Sequence, residues 1–196
     1  LTELGFATGM TPMIGADNGT GNIKGIGITV KNGLMTNGII GGISIILLTI
    51  IYFCLDHFGQ APELMPYIKP YFAIIGISTL FALGFNVLKQ FTDGICRPMI
   101  SMTLLMIGNL LNIFGNWVLI YGKLGFPEMG LTGAGISTLV SRALILLVFV
   151  VFIFKSKKMN EYARAFKEAL LSRGEMKTVF KMGYPVGIQM TLESST

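Results

Sequence analysis

The sequence predicts an all-α membrane protein that crosses the bilayer several times. Its mean hydropathy is +0.68 and only 13% of its residues are charged, whereas soluble domains carry about 25%. Three long stretches hold no charge, and a fourth holds only Arg142. They lie between Lys31 and Asp56, Lys69 and Lys89, Arg97 and Lys123, and Glu128 and Lys155. Each is long enough for a membrane helix, which needs roughly 20 apolar residues.

These stretches predict complete spans at 33–55, 67–89, 98–121 and 131–154. One incomplete span is expected to end near Pro12, and another to begin at about residue 183, so we expect the chain to be a fragment. Pro98 suits the first position of a helix, where its missing N–H has no partner to lose. The Gly- and Pro-containing run at 122–127 predicts a tight turn.

The distribution of basic residues predicts the orientation of the spans. Of the 15 Lys and Arg residues, twelve fall in the alternate connections 13–31, 89–97 and 155–181, while the other two connections hold Lys69 and Lys123. The positive-inside rule places the first set in the cytoplasm. In 155–181, Tyr162, Phe166 and Leu170 recur every four residues, which predicts an amphipathic helix on the inner membrane surface. This segment is either a plain linker with basic residues facing anionic lipid or a regulatory, partner-binding element.

Several functional classes are excluded by the sequence. The net charge of +5 does not indicate nucleic-acid binding, because the basic residues sit in the connections without interleaved aromatic residues. Cys54 and Cys96 are predicted on opposite sides of the membrane, so we expect no disulfide. His57 is the only histidine, which leaves no ligand set for structural zinc. No nucleotide-binding or hydrolase motif is present, so we expect neither an enzyme nor a bound cofactor.

Polar residues form stripes inside the predicted spans. The stripes are Asn37, Gly41 and Ser44; Gly76, Thr79, Asn86 and Gln90; Ser101, Gly108, Asn109, Asn112 and Asn116; and Gly135, Thr138 and Arg142. Polar side chains are costly in lipid, so they must face protein or water. Each stripe either holds helices together or lines a polar cavity, and for the four together we favour a shared cavity.

Two ionisable residues lie within predicted spans. A central Arg is costly in the membrane, so Arg142 should face the bundle interior, with Asn112, Asn116 or a carboxylate outside this sequence as its partner. It is either a structural clamp or a cavity residue. Glu193 should lie roughly 10 Å into the membrane, where an acid is by default a proton or cation site. The alternative is an interfacial Glu193 close to water.

Four groups of residues stand out by their order and spacing. The Asn109–Asn116 stretch, with the glycines and Pro127 that follow it and the run 133–138, is the most specific. The others are Ala7-Thr8-Gly9 with Pro12 and Gly15-Ala16-Asp17; Phe91-Thr92-Asp93-Gly94 with Arg97-Pro98; and Lys181-Met182-Gly183-Tyr184-Pro185 with Gln189 and Glu193. Together they resemble the multidrug and toxic compound extrusion (MATE) transporters, and the likeness spans essentially all 196 residues.

The resemblance implies the incomplete N-terminal lobe of a twelve-helix, two-lobed antiporter. Residues 1–154 would hold the end of helix two and helices three to six, 155–181 the cytoplasmic inter-lobe loop, and 182–196 the start of helix seven. Glu193 matches an acidic residue that handles cations and substrates in some members. The family often has Asp near the position of Asn116, which is an uncharged amide here.

We therefore expect a transporter of the bacterial inner membrane that exports amphipathic, often cationic drugs in exchange for Na⁺ or H⁺. The binding residues would be Glu193, Gln189, Asn112, Asn116 and Arg142, with Na⁺ or H⁺ at Glu193 and no resident metal. The expected partners are small-molecule substrates, membrane lipids and the rest of the protein's own chain, and no nucleic acid. The alternatives are a lipid-linked oligosaccharide flippase of the same superfamily and a non-transporting helical scaffold.

Overall fold

The computed structural model describes residues 9–54, 65–125, 127–171, 174, 176–181 and 183, and the elements in these ranges are helical. They are α1 (Met10–Gly19), α2 (Ile23–Cys54), α3 (Met65–Gly94), α4 (Pro98–Ile120), α5 (Gly130–Lys155), a 3₁₀ turn at Lys157–Met159 and α6 (Asn160–Glu168). Helices α2 to α5 are each long and apolar enough to cross a membrane. The predicted all-α, polytopic membrane protein is therefore confirmed.

The bounds of α4 and α5 agree with the predicted spans to within a residue, while the N-terminal helices differ. Helix α2 begins ten residues before the predicted start at residue 33, and the helix expected to end near Pro12 continues to Gly19. Pro12 does not stop α1 because it lies in the first turn, where backbone N–H groups have no intrahelical partner. The connection between α1 and α2 is only 20–22, with Gly21 in the left-handed region at φ 72°.

Contacts along the helices fix their relative directions. Helices α3 and α5 run parallel, because Tyr71 lies near Gly135 and Phe85 packs on Phe149 further along both helices. Helices α4 and α5 run antiparallel, since Gly108 lies against Ile145 and Gly133 against Leu119. Turns 20–22 and 95–97 and helix α6 consequently share one end of the bundle. We call this the basic end, and its location in the cytoplasm remains a prediction.

The basic end holds the hydrophobic core of the described part. Met10, Ile14, Val87, Phe149 and Met159 are each fully buried there. Large apolar side chains elsewhere on the long helices are exposed, including Ile46 and Phe53 of α2, Met106 and Ile113 of α4, and Leu147 of α5. Exposed apolar surface of this extent suits helices whose outer faces are covered by lipid.

Helix α6 packs its apolar side onto the bundle. Tyr162 and Phe166 are half-buried as the four-residue spacing predicts, but Leu170 follows the end of the helix and is 80% exposed. The amphipathic helix is thus confirmed for 162 and 166, and the inclusion of Leu170 is wrong. The approach to α2 is close: a Cβ atom on Gly27 would lie 2.5 Å from the backbone carbon of Ala165.

Polar contacts hold α6 in place. The Lys31 ammonium of α2 donates a hydrogen bond to the Ala169 carbonyl at 2.7 Å, and the Tyr162 hydroxyl donates to Asn18 Oδ1 at 3.4 Å. The predicted start of α2 was too late because Lys31 suggested a solvated connection. In the structure this charge lies within a helix and is half-covered by α6.

Small residues bring α4 and α5 together. Cβ atoms on Gly133 and Gly115 would lie 2.7 Å from the Leu119 carbonyl oxygen and 2.4 Å from Ser137 Oγ. Close backbone approach at small residues is a common way to pack helices in a membrane, where burial of apolar surface from water no longer drives association. The glycines of these helices therefore allow the polar contacts described below.

Replacing Gly133 by alanine should separate α4 from α5, because the new methyl group meets a backbone atom that cannot rotate away. We expect G133A to destabilise the complete protein by about 1–3 kcal/mol, measured as thermal unfolding in detergent. The matched control is G38A, an exposed helical glycine with open space around it, which should be neutral or stabilising by up to about 1 kcal/mol. Equal melting temperatures for both variants would contradict the close packing.

Candidate functional site between the membrane helices

A chain of polar side chains lies between α4 and α5, in the part of the bundle remote from the basic end. Asn116 Nδ2 donates to Asn112 Oδ1 at 3.1 Å, and Asn112 Nδ2 donates to Thr138 Oγ1 at 3.2 Å. The Thr138 hydroxyl in turn donates to the Ala134 carbonyl at 3.0 Å. Two of the predicted binding residues, Asn112 and Asn116, are thus brought together with Thr138.

The order of donors leaves one acceptor free. Asn116 donates to Asn112 within α4, and Asn112 donates across to Thr138 of α5, so Asn116 Oδ1 is the acceptor at the head of the chain. This oxygen is buried and has no hydrogen-bond partner within the described residues. A buried, unpaired carbonyl oxygen costs about 1–3 kcal/mol, and such a cost requires an explanation, such as a bound ion or ligand.

The local sequence explains how the chain is assembled. Asn112 and Asn116 are four residues apart and so lie on one face of α4. Gly115 leaves room for Ser137 of α5, whose hydroxyl donates to the Asn112 carbonyl at 3.0 Å. Asn109 was predicted on the same side but is exposed, because Gly108 faces α5 and the next residue is turned about 100° away.

Arg142 faces α3 and does not join this chain. Its Nη1 donates to Ser78 Oγ at 2.8 Å, so the expected partnership with Asn112 or Asn116 is wrong. The physical reason is register: Arg142 lies two turns after Gly135, which faces Tyr71 and Ile74 of α3. No carboxylate among the described residues pairs with Arg142.

The polar stripes are distributed over several helix contacts. Gln90 of α3 accepts a hydrogen bond from Thr11 of α1, while Thr79 bonds to a carbonyl of its own helix. Asn37 is 1% exposed, and its Oδ1 has no partner within the described ranges. The expected gathering of all four stripes around one cavity is not found among the described residues. Glu193 and Gln189 lie outside them.

Sequence reasoning missed two serines at these contacts. Helical spacing from Gly76 selects Thr79 and not its neighbour Ser78, and spacing from Gly135 selects Thr138 and not Ser137. In both pairs the two hydroxyls are adjacent, so they point about 100° apart. The positions of the neighbouring helices decide what each hydroxyl contacts: Ser78 accepts from Arg142 while Thr79 bonds to its own helix. Ser137 and Thr138 both contact Asn112. The sequence feature that indicates these serines is an adjacent Ser-Thr pair within a charge-free stretch.

The turn from α3 to α4 is held by a second polar group. Lys89 and Asp93 form an ion pair at 2.8 Å, and the Ser101 hydroxyl donates to Asp93 Oδ1 at 3.4 Å. The fully buried Ser101 thus links α4 to the end of α3. These residues lie at the basic end, away from Asn112 and Asn116. Their contacts give the Phe91-Thr92-Asp93-Gly94 segment a structural role, which is to hold the turn between α3 and α4.

Comparison with known proteins identifies the family. The MatE family model matches residues 1–118. Multidrug resistance protein NorM of Photobacterium profundum is 28% identical over 201 aligned positions, covering all of this chain and 43% of that protein. The probable multidrug resistance protein NorM of Photorhabdus laumondii is 31% identical, covering 87% of this chain and 37% of that protein.

Solved structures share the fold. An inward-facing multidrug resistance MATE family transporter of the MOP superfamily superposes with a TM-score of 0.81 at 22% identity, over 95% of this chain and 42% of that one. The eukaryotic MATE transporter AtDTX14 gives 0.73 at 20% identity, over 98% and 42%. By their names these proteins are transporters and resistance proteins, not enzymes. The chain spans about two fifths of their length, and it belongs to the MatE family.

Proposed function

We propose that this chain is part of a cation-coupled antiporter of the bacterial inner membrane that exports amphipathic, often cationic compounds. The observation that carries the proposal is the buried, unpaired Asn116 Oδ1 at the head of the Asn116–Asn112–Thr138 chain. The names of the relatives support the export of drugs. Two lobes would rock about a central site in which cation and drug bind alternately.

The chemistry of the chain suits a cation with oxygen ligands. Amide and hydroxyl oxygens are the ligands that hard cations such as Na⁺ prefer. Neither asparagine nor threonine exchanges a proton at physiological pH. A proton-coupled step would therefore need a carboxyl group, and Glu193, supported by the family resemblance, is our proposed exchange site. Gln189, four residues before Glu193 in the sequence, would line the same cavity in the helix that the family resemblance implies.

Arg142 organises this arrangement in our proposal. Its hydrogen bond to Ser78 ties α5 to α3, while Thr138, one turn earlier on α5, belongs to the polar chain with α4. Arg142 thereby fixes the rotation of α5 and the position of the Thr138 hydroxyl.

Replacing Asn116 by leucine should impair transport, because it removes the free acceptor without adding charge. We expect initial rates of ethidium efflux by the complete protein to fall about ten-fold or more, the scale for losing a partner at an ion site. The matched control on α4 is Thr103→Val, an exposed residue whose hydroxyl bonds to its own helix. Normal efflux with a lowered melting temperature would favour a scaffold role for the asparagines.

Replacing Glu193 by glutamine should abolish the coupling of drug export to the cation gradient while preserving the size of the side chain. We expect loss of ethidium efflux driven by either an imposed Na⁺ or an imposed proton gradient in proteoliposomes, tested separately. Glu161→Gln, an exposed carboxylate of α6, is the control and should transport normally. Efflux by Glu193→Gln at the wild-type rate under both gradients would remove Glu193 from the mechanism.

The contact between Arg142 and Ser78 should contribute to stability. Ser78→Ala deprives the guanidinium of its interhelical acceptor, and we expect a loss of about 1–2 kcal/mol in the free energy of unfolding. Thr79→Ala is the neighbouring control, since that hydroxyl bonds only to Ile75 of its own helix. Thermal unfolding in detergent compares the two variants, and a larger effect at Thr79 would contradict the described rotation of α5.

A further inference from the structure

An apolar cavity of about 170 Å³ lies at the basic end, remote from the polar chain. Its walls come from α2, α3, α5 and α6, and include Val30, Phe91, Val150, Phe154, Tyr162 and Phe166. The described lining residues bear no charged group. The volume is several times the roughly 30 Å³ share of one water molecule, and apolar cavities of this kind stay dry. Its preferred contents are therefore hydrocarbon.

The cavity is accessible from the membrane side of α5. Val150 and Phe154, which line it, are 37% and 41% exposed and lie on the surface of a predicted spanning helix. Lys31, at the same end, is eight residues into α2, or about 12 Å along the helix. Because α2 is a candidate membrane span over Ile23–Phe53, we expect the cavity to lie within one leaflet, in reach of an acyl chain.

Two lysines flank the aromatic wall. Phe154 and Phe166 pack edge to face with ring centroids 6.3 Å apart. The Lys31 ammonium lies 5.8 Å from the centroid of Phe166, and the Lys167 ammonium lies 5.5 Å from that of Phe154. A hydrocarbon chain packed against these two rings would therefore end beside two cations.

The charges of both lysines are available to an anion. Lys31 uses one of its three hydrogens on the Ala169 carbonyl, and Lys167 is exposed. The acidic residues of α6, Glu161 and Glu168, form no ion pair with either lysine in the described structure. An apolar slot edged by two cations that have no carboxylate partner among the described residues is complementary to a molecule with a hydrocarbon tail and an anionic head.

We propose that this cavity binds one acyl chain of an anionic phospholipid, with its phosphate held by Lys31 and Lys167. The lipid would bridge α5 and α6 on the side of the bundle that faces the membrane. This site is separate from the proposed cation and drug site, and its ligand has the opposite charge. Binding can be measured without any transport assay, so it is tested independently of the proposed function.

The test is native mass spectrometry of the complete, delipidated protein titrated with palmitoyl-oleoyl phosphatidylglycerol or phosphatidylcholine. We expect one phosphatidylglycerol to bind far more tightly than phosphatidylcholine. Each lysine near the surface contributes roughly five-fold to the attraction of an anionic lipid. The double variant Lys31→Gln/Lys167→Gln should weaken this binding on the order of 25-fold, while Lys31→Arg/Lys167→Arg should retain it.

Two further variants make the result decisive. Lys24→Gln/Lys157→Gln removes the same charge from exposed positions at the same end and should leave the single tight site intact. Val150→Phe keeps every charge but fills the cavity mouth, and it should abolish tight binding. If both double lysine variants weakened phosphatidylglycerol binding equally, the effect would be general surface attraction and the proposed site would be wrong. Unchanged binding in Val150→Phe, or no preference for phosphatidylglycerol over phosphatidylcholine, would overturn the proposal.

Discussion

The structure depends on one constraint: a polar group inside the membrane must find its partner within the protein. This constraint makes every described spanning segment a helix, because a helix satisfies its own backbone. It also brings side chains together in pairs. Asn112 meets Thr138, Arg142 meets Ser78, and Thr11 meets Gln90, each across a different helix interface. The exceptions, Asn116 Oδ1, Asn37 Oδ1 and Thr36 Oγ1, are notable because the rest of the described bundle obeys the rule so closely.

The two ends of the bundle differ in how they place polar and apolar side chains. At the basic end, large apolar side chains such as Phe149 and Met10 fill the core, and the charges lie at its edge. Further along, α4 and α5 approach at Gly115 and Gly133, and polar side chains occupy the interface. The first arrangement favours a rigid unit. The second places amide and hydroxyl groups between two membrane helices, where the proposed exchange would take place.

The sequence predicted the bounds of α4 and α5 well, whereas α3 continues to Gly94, five residues past its predicted end at residue 89. Arg97 and Lys123 enclose α4, and Glu128 and Lys155 enclose α5, so their bounds agree closely. The start of α2 was missed because Lys31 is covered by a segment 138 residues away, which local pattern does not reveal. The alignment of Asn112 with Asn116 on α4 followed from helical spacing, whereas their contact with Thr138 of α5 is shown only by the structure. The partner of Arg142 did not, since the rotation of α5 between α3 and α4 is decided by glycine contacts at Gly135 and Gly115.

The packing of α6 on α2 affects how a force on the chain would be transmitted to the bundle. Helix α6 follows α5 in the chain but packs on α2. Gly27 leaves room for the Ala165 backbone, and the Lys31 ammonium donates a hydrogen bond to the Ala169 carbonyl. Tension arriving through the chain after residue 169 would therefore act on the second helix of the bundle rather than on the fifth. Because α6 is attached to α2, we expect such a force to rotate the described helices together instead of pulling α5 away from its neighbours.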